Sequence, residues 1–255
     1  MTSRPQSAAR RKAPEQRRAE MIEAAAAIAM HDGLDKVTAK RVAVALGVRP
    51  GLVDHYFSAD QLVAAAFAHA ASAERNEVFG EAESVPDPVA RLRRVMAGWL
   101  EPGHDEFSLL WLDAWQACRH RPALRGEVAA QMHEDVRRLA ELIKLGVDSG
   151  QLGVDKPDTA ALQIMSLVDA LSVQSAMRGT FDYTEVRTLV MAVTEQILGL
   201  LACRAGMGTW FLRGRGGEPE GGERGRGEVV LGGVDHPEVG ADVQFGRLDE
   251  QCHYR

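Results

Sequence analysis

Residues 37–57, VTAKRVAVALGVRPGLVDHYF, constrain the fold more tightly than any other stretch of this chain. They read as two short helices joined by a tight turn. The Thr38 hydroxyl can accept a hydrogen bond from an unpaired amide of the first helical turn, which makes it a capping residue. Val42, Ala43 and Leu46 then fall on one face, and Ala43 is small where a second helix must come close. Gly47 stands where a residue of positive φ ends the first helix cheaply. Val48 turns back to the core, and Val53 and Tyr56, three apart, share a face of the second helix. A small residue, a glycine four later and a β-branched apolar residue six after that is the spacing of a helix-turn-helix. Such a unit offers the first turn of its second helix, residues 49–52, to a partner such as the major groove of DNA. The same spacing also serves an ordinary corner between two helices, so the flanking sequence has to decide.

An amphipathic helix is expected from Glu15 to His31, closed by Asp32-Gly33, with Met21, Ala25 and Ile28 on one face and Ala24 and Ala29 beside them. Downstream, His55-Tyr56-Phe57 leads into a long alanine-rich helix starting at Ser58 or Asp60. Residues 15 to about 67 resemble the TetR family of bacterial transcriptional regulators: the matching pieces are MIEAAAAIAMHDG, Thr38, Val42-Ala43, Leu46-Gly47-Val48, Pro50-Gly51 and His55-Tyr56-Phe57. LVDHYF is most similar to the choline-responsive BetI-type branch. The resemblance implies DNA contacts from Thr38, from Arg49, Pro50, Gly51 and Leu52, and from His55 and Tyr56. Lys40 lies on the flanking helix, where it can reach phosphate. Three departures from the family pattern stand out. Arg49 and Leu52 occupy positions where Ser or Thr is usual, Asp54 stands where an aromatic residue or Ser is common, and the lysine usual after the Tyr-Phe pair is missing, with Asp60 nearby. The two carboxylates should weaken nonspecific DNA affinity.

Charge agrees with one basic end. Residues 1–60 carry ten Lys/Arg against seven Asp/Glu, the remainder twenty against twenty-nine. That suits a protein touching nucleic acid at one end only. Residues 1–14, with Arg4, Arg10, Arg11 and Lys12, read as a flexible basic arm able to lie along phosphates, or as a solubilising tail. Three scattered cysteines, Cys118, Cys203 and Cys252, with no CxxC, argue against a disulfide framework or a zinc site and suit a cytoplasmic protein. No run of eighteen apolar residues predicts a membrane span. The chain contains no GxSxG, HExxH or P-loop, so no enzyme, cofactor or metal site is nominated.

Further along, residues 87–101 place Val89, Leu92, Val95, Met96, Trp99 and Leu100 on an apolar stripe, and Phe107, Trp111 and Trp115 follow at i, i+4, i+8. Met96, Trp99, Phe107, Trp111, Trp115 and Met132 can line an effector pocket with Asp169 and Gln174 as polar anchors, although such stripes more often serve core packing. Aromatic walls would favour a flat apolar or a cationic ligand. In the last helix, 183–201, Val186, Val190, Val193 and Ile197 keep a 4-3-4 spacing, a seam for another helix either in the chain or in a second subunit. LVDALSVQSAMRG with this helix again resembles the BetI-type C-terminal region, which implies a dimerising four-helix bundle. Thirteen of the 25 glycines fall after Cys203 without any periodicity, so residues 202–255 are expected to be disordered.

The sequence therefore predicts an all-α homodimer: a three-helix helix-turn-helix domain over 15–58, then a larger helical bundle over 59–201 for effector binding and dimerisation, about nine helices in all. Its expected partners are a palindromic double-stranded DNA operator and a small-molecule effector. Repression released by that effector is the expected function. Activation with the same parts, or a helical ligand-binding scaffold that has lost DNA, are the alternatives.

Overall fold

Proline opens helix after helix in this chain. A computed structural model describes residues 13–101, 105–176 and 183–200, all within one unit spanning Met1–Gly208. Among the described residues there are nine α-helices and no strand: α1 (Pro14–Asp32), α2 (Ala39–Leu46), α3 (Pro50–Tyr56), α4 (Ala59–Glu83), α5 (Pro88–Trp99), α6 (Asp105–Ala117), α7 (Pro122–Asp148), α8 (Pro157–Ala176) and α9 (Tyr183–Ile197), with a 3-10 turn at Leu34–Lys36 after α1. Pro14, Pro50, Pro88, Pro122 and Pro157 each stand at a helix start, where a missing N–H costs nothing and the fixed φ is already helical.

Other starts are capped by side chains. Ser58 and Gln61 form a reciprocal capping box at α4: the Ser58 hydroxyl accepts from the Gln61 amide at 3.3 Å, and Gln61 Oε1 accepts from the Ser58 amide at 3.1 Å. Asp87 caps α5 by accepting from the Ala90 amide at 2.7 Å. α4 runs through Gly80 to Glu83, because nothing at Gly80 interrupts the helical hydrogen bonds and Ala82 is buried.

The buried face of α1 is Met21, Ala25, Ala26 and Ala29, with Ile28 only half-buried at its edge. It joins Val42 and Ala43 of α2 and Val53 of α3 in one apolar cluster. That cluster does not stop at the end of α3. It continues through Leu62, Val63, Ala66, Phe67 and Ala70 of α4 into Leu110, Trp111 and Ala114 of α6 and Leu124 and Val128 of α7. Beyond it α4 packs on α7, α7 on α8, and α8 on both α6 and α9.

The seam expected of Val186, Val190, Val193 and Ile197 is partly used inside the chain. α9 packs on α8, Val190 is only 5% exposed, and the other three are half-buried. Among the described residues, the large apolar side chains left in solvent on these two helices are Leu162 and Leu189. The expected arm up to residue 12 and the tail after residue 200 lie outside the described residues.

Candidate nucleic-acid interface and ligand cavity

The turn between α2 and α3 is built as its residues require. Thr38 Oγ1 accepts from the Arg41 amide at 3.3 Å. Gly47 adopts φ 65°, its amide bonding back to the Val44 carbonyl and the Val48 amide to Ala43. α3 then turns Val53 wholly inward, while Leu52 and Tyr56 are half-buried against the same cluster. Arg49, Pro50, Gly51, Asp54 and His55 stay exposed, as do Thr38 and Lys40 on the α2 side. The solvent side of α3 thus presents His55, with Arg49 exposed at its N-cap, whereas Leu52 serves packing as much as contact. Among the described residues no carboxylate pairs with Arg49 or Lys40, while Arg41 is held by Asp32 at 2.5 Å. Arg18 of α1 lies over the Phe57 ring at 4.6 Å, fixing the end of α3 to α1.

Two carboxylates tie this unit to the helices behind it. Asp113 Oδ2 of α6 accepts from the Leu34 amide at 3.1 Å. Asp60 Oδ2, in the first turn of α4, accepts from the Ala123 amide of α7 at 3.0 Å, and Arg121 lies 3.8 Å from its other oxygen. Asp60, expected from the sequence only to weaken DNA affinity, also caps α7, because the amides of a helix's first turn lack intrahelical acceptors.

A cavity of about 420 Å³ lies among α4, α5, α6, α7, α8 and α9. This is within the range of small-molecule sites, roughly 300–1,000 Å³. Trp99, Trp111, Met132 and Asp169 line it as expected, and Tyr183 adds a third aromatic wall. Met96, Phe107 and Trp115 do not line it. Each four-residue step advances about 40° around a helix, so the three α6 rings drift apart in direction: Trp115 leans on Trp111 with ring centroids 5.7 Å apart and packs toward the N-terminal cluster. Met96 is buried in the core. The Gln174 side chain lies outside the described residues.

Sequence reasoning missed the charged wall. Glu74 and Arg75 of α4 and Asp135 of α7 are all buried and line the cavity. Arg75 Nε donates to Asp135 Oδ1 at 2.5 Å, and its Nη2 donates to Gln131 Oε1. The Trp111 indole N–H donates to Glu74 Oε2 at 3.2 Å, and its ring meets Phe67 edge-on at 4.9 Å. Among the described residues, the carboxylates of Glu74, Asp135 and Asp169 and the guanidinium of Arg75 therefore meet at this end of the cavity. Burial drives Asp135 up to about 7 against the pull of Arg75, with Glu74 and Asp169 pushing it further. Burial, then Glu74, drives Asp169 up to about 6. A positive charge placed among them would favour both ionised forms. A signal existed in the sequence: Glu74 sits on the stripe Phe67, Ala71, Val78, and Asp135 on Val128, Leu139, Leu142, so both are acids at core positions.

No helix among the described residues is long and apolar enough to cross a membrane. The family model described as BetI-type transcriptional repressor, C-terminal, matches residues 88–199. The HTH-type transcriptional regulator BetI of Burkholderia thailandensis is 30% identical over 204 residues, covering 74% of this chain and 95% of that relative. Its namesake in Pseudomonas paraeruginosa is 26% identical over 188 residues, 71% of this chain and 93% of that one. Among solved structures, a TetR-family transcriptional regulator from Rhodococcus sp. shares the fold with TM-score 0.62 at 23% identity, covering 72% of this chain and 99% of that one. A transcriptional regulator from Saccharomonospora viridis, solved in complex with choline, matches with TM-score 0.60 at 19% identity over 71% of this chain and 96% of that one.

Proposed function

Because the chain belongs to the TetR family of transcriptional regulators, in its BetI-type branch, we propose that it is a cytoplasmic homodimeric repressor that leaves its operator when a small organic cation fills the cavity. Residues 15–58 act as the DNA-binding domain and 59–201 as the effector-binding and dimerisation domain. Arg49 and His55 of α3, with Thr38 and Lys40 beside them, meet the major groove and its phosphates; two such units on one dimer read a near-palindromic site. α8 and α9 supply the dimer contact, Leu162 and Leu189 joining the half-buried Val186, Val193 and Ile197 there.

The observation that carries the ligand class is the pairing of three aromatic walls with the acids Glu74, Asp135 and Asp169 in the cavity lining. A cation gains from the ring faces and from the charge of ionised carboxylates in a buried setting. The neighbour of like fold that was solved with choline supports the same class. Release follows if the occupied cavity favours a different placement of α6, since Ser108 and Trp111 wall the cavity while Asp113 on the same helix holds the Leu34 amide.

Selecting bound sequences from random duplex DNA, then repeating the gel shift with choline as the probe cation, tests the reading. A recovered palindrome released by choline supports it. Absence of any enriched sequence would refute the DNA-binding role, and release by an anionic amphiphile but no cation would refute the ligand class.

A further inference from the structure

The corner between α6 and α7 holds three arginines and a histidine within seven residues: Arg119, His120, Arg121 and Arg125. It is well ordered by its own chemistry. Arg125 Nε donates to the Cys118 carbonyl at 3.3 Å and its Nη2 to the Arg119 carbonyl at 3.1 Å, so one guanidinium pins the backbone of the bend. The bend is in turn anchored to the reading unit, because Asp60 takes the Ala123 amide and lies beside Arg121. Asp60 is four residues past Tyr56, the last residue of α3. The corner thus sits against the chain segment that leaves the reading helix.

Arg119, His120 and Arg125 are exposed, and Arg121 is half-buried. Among the described residues no carboxylate pairs with Arg119, and Arg121 has Asp60 only at 3.8 Å. A cluster of arginines next to one acid keeps an excess of positive charge, and on an acidic body that excess is the unusual feature. Guanidinium groups of this kind match phosphate oxygens in geometry and in charge.

We propose that the α6–α7 corner is a second DNA-backbone contact, in which Arg119 and Arg121 neutralise phosphates beside the groove that α3 reads. The contact is sequence-independent and belongs to the ligand-binding body, not to the helix-turn-helix. It also lies at the end of α6, the helix whose Ser108 and Trp111 wall the cavity. A ligand that moves α6 would therefore shift a phosphate clamp as well as the reading helix. The proposal rests on the DNA-binding reading above.

The test is the salt dependence of binding to the selected duplex by the full chain, read by fluorescence anisotropy. For Arg119→Ala with Arg121→Ala, two contacts are lost in each protomer of the dimer, so the slope of log K against log salt should shrink by about 3.6, at roughly 0.9 per lost phosphate contact. The Arg119→Lys, Arg121→Lys variant should keep the wild-type slope, which separates charge from folding. If the double alanine variant unfolds, Arg119→Ala alone, at an exposed position, should lower the slope by about two, one contact from each protomer. A wild-type slope in the alanine variants overturns the corner contact while leaving the reading helix in place, provided Arg49→Ala still weakens binding. A wild-type protein that binds no duplex at low salt overturns both.

Discussion

Asp113 on α6 holds the backbone amide of Leu34 at 3.1 Å, across seventy-nine residues of sequence. This bond joins the helix that walls the cavity to the turn that follows α1. The carboxylate also crowds Gly33, whose φ of 100° excludes a larger residue in any case. Asp113→Ala should cost about 1 kcal/mol in chemical unfolding, the usual worth of one such bond. Asp113→Asn keeps an acceptor and should cost less. In the alanine variant choline binding measured by calorimetry should persist, while choline should release DNA less completely; equal release would remove Asp113 from the coupling.

The cavity carboxylates set a pH dependence. Asp135 and Asp169 have folded-state pKa values raised to about 7 and about 6. The folded state therefore holds protons that the unfolded chain has already lost, so their contribution to stability declines as pH rises from about 4 to about 7 and is level above that. Asp169→Asn cannot ionise and should be more stable than the wild type to thermal unfolding at pH 8, by up to about 3 kcal/mol, with less effect at pH 5. A bound cation reverses the preference, since it favours the charged carboxylates. Choline affinity of the wild type should accordingly rise between pH 5.5 and pH 8 and be weaker in Asp169→Asn, as titration calorimetry would record.

Gly47 needs its left-handed backbone, φ 65°, although no atom would crowd an added Cβ. Gly47→Ala should thus destabilise by about 1 kcal/mol through conformation alone. Asn tolerates this region better, so Gly47→Asn should lose less. Equal losses in thermal unfolding would mean that the turn is not what limits this position.

Local signals made the reading unit legible. Thr38, Gly47 and Pro50 act within a few residues of where they stand, and each does in the structure what its chemistry suggests. The stripes of α5 and α6 also announced buried aromatic faces. What the sequence hid is tertiary. The Arg75–Asp135 pair spans sixty residues, and charged side chains in alanine-rich helices ordinarily face solvent. Only their place on apolar stripes distinguished Glu74 and Asp135, and periodicity does not say which partner will answer a buried charge. The cap that Asp60 provides was hidden for the same reason: its partner, the start of α7, is sixty-three residues away. Val190 was read as a possible intersubunit residue because a seam looks alike whether its neighbour is α8 or another chain.

The central claim is that the outward face of α3 reads DNA for a body that senses a cation. It is tested most directly by a gel shift on the selected operator with Arg49→Ala combined with Tyr56→Phe, changes that keep Val53 and remove only the hydroxyl from the Tyr56 ring, which packs against the buried cluster. Operator binding should be abolished, with the dimer, the melting temperature and choline binding preserved. Unchanged operator affinity in that variant would contradict the account.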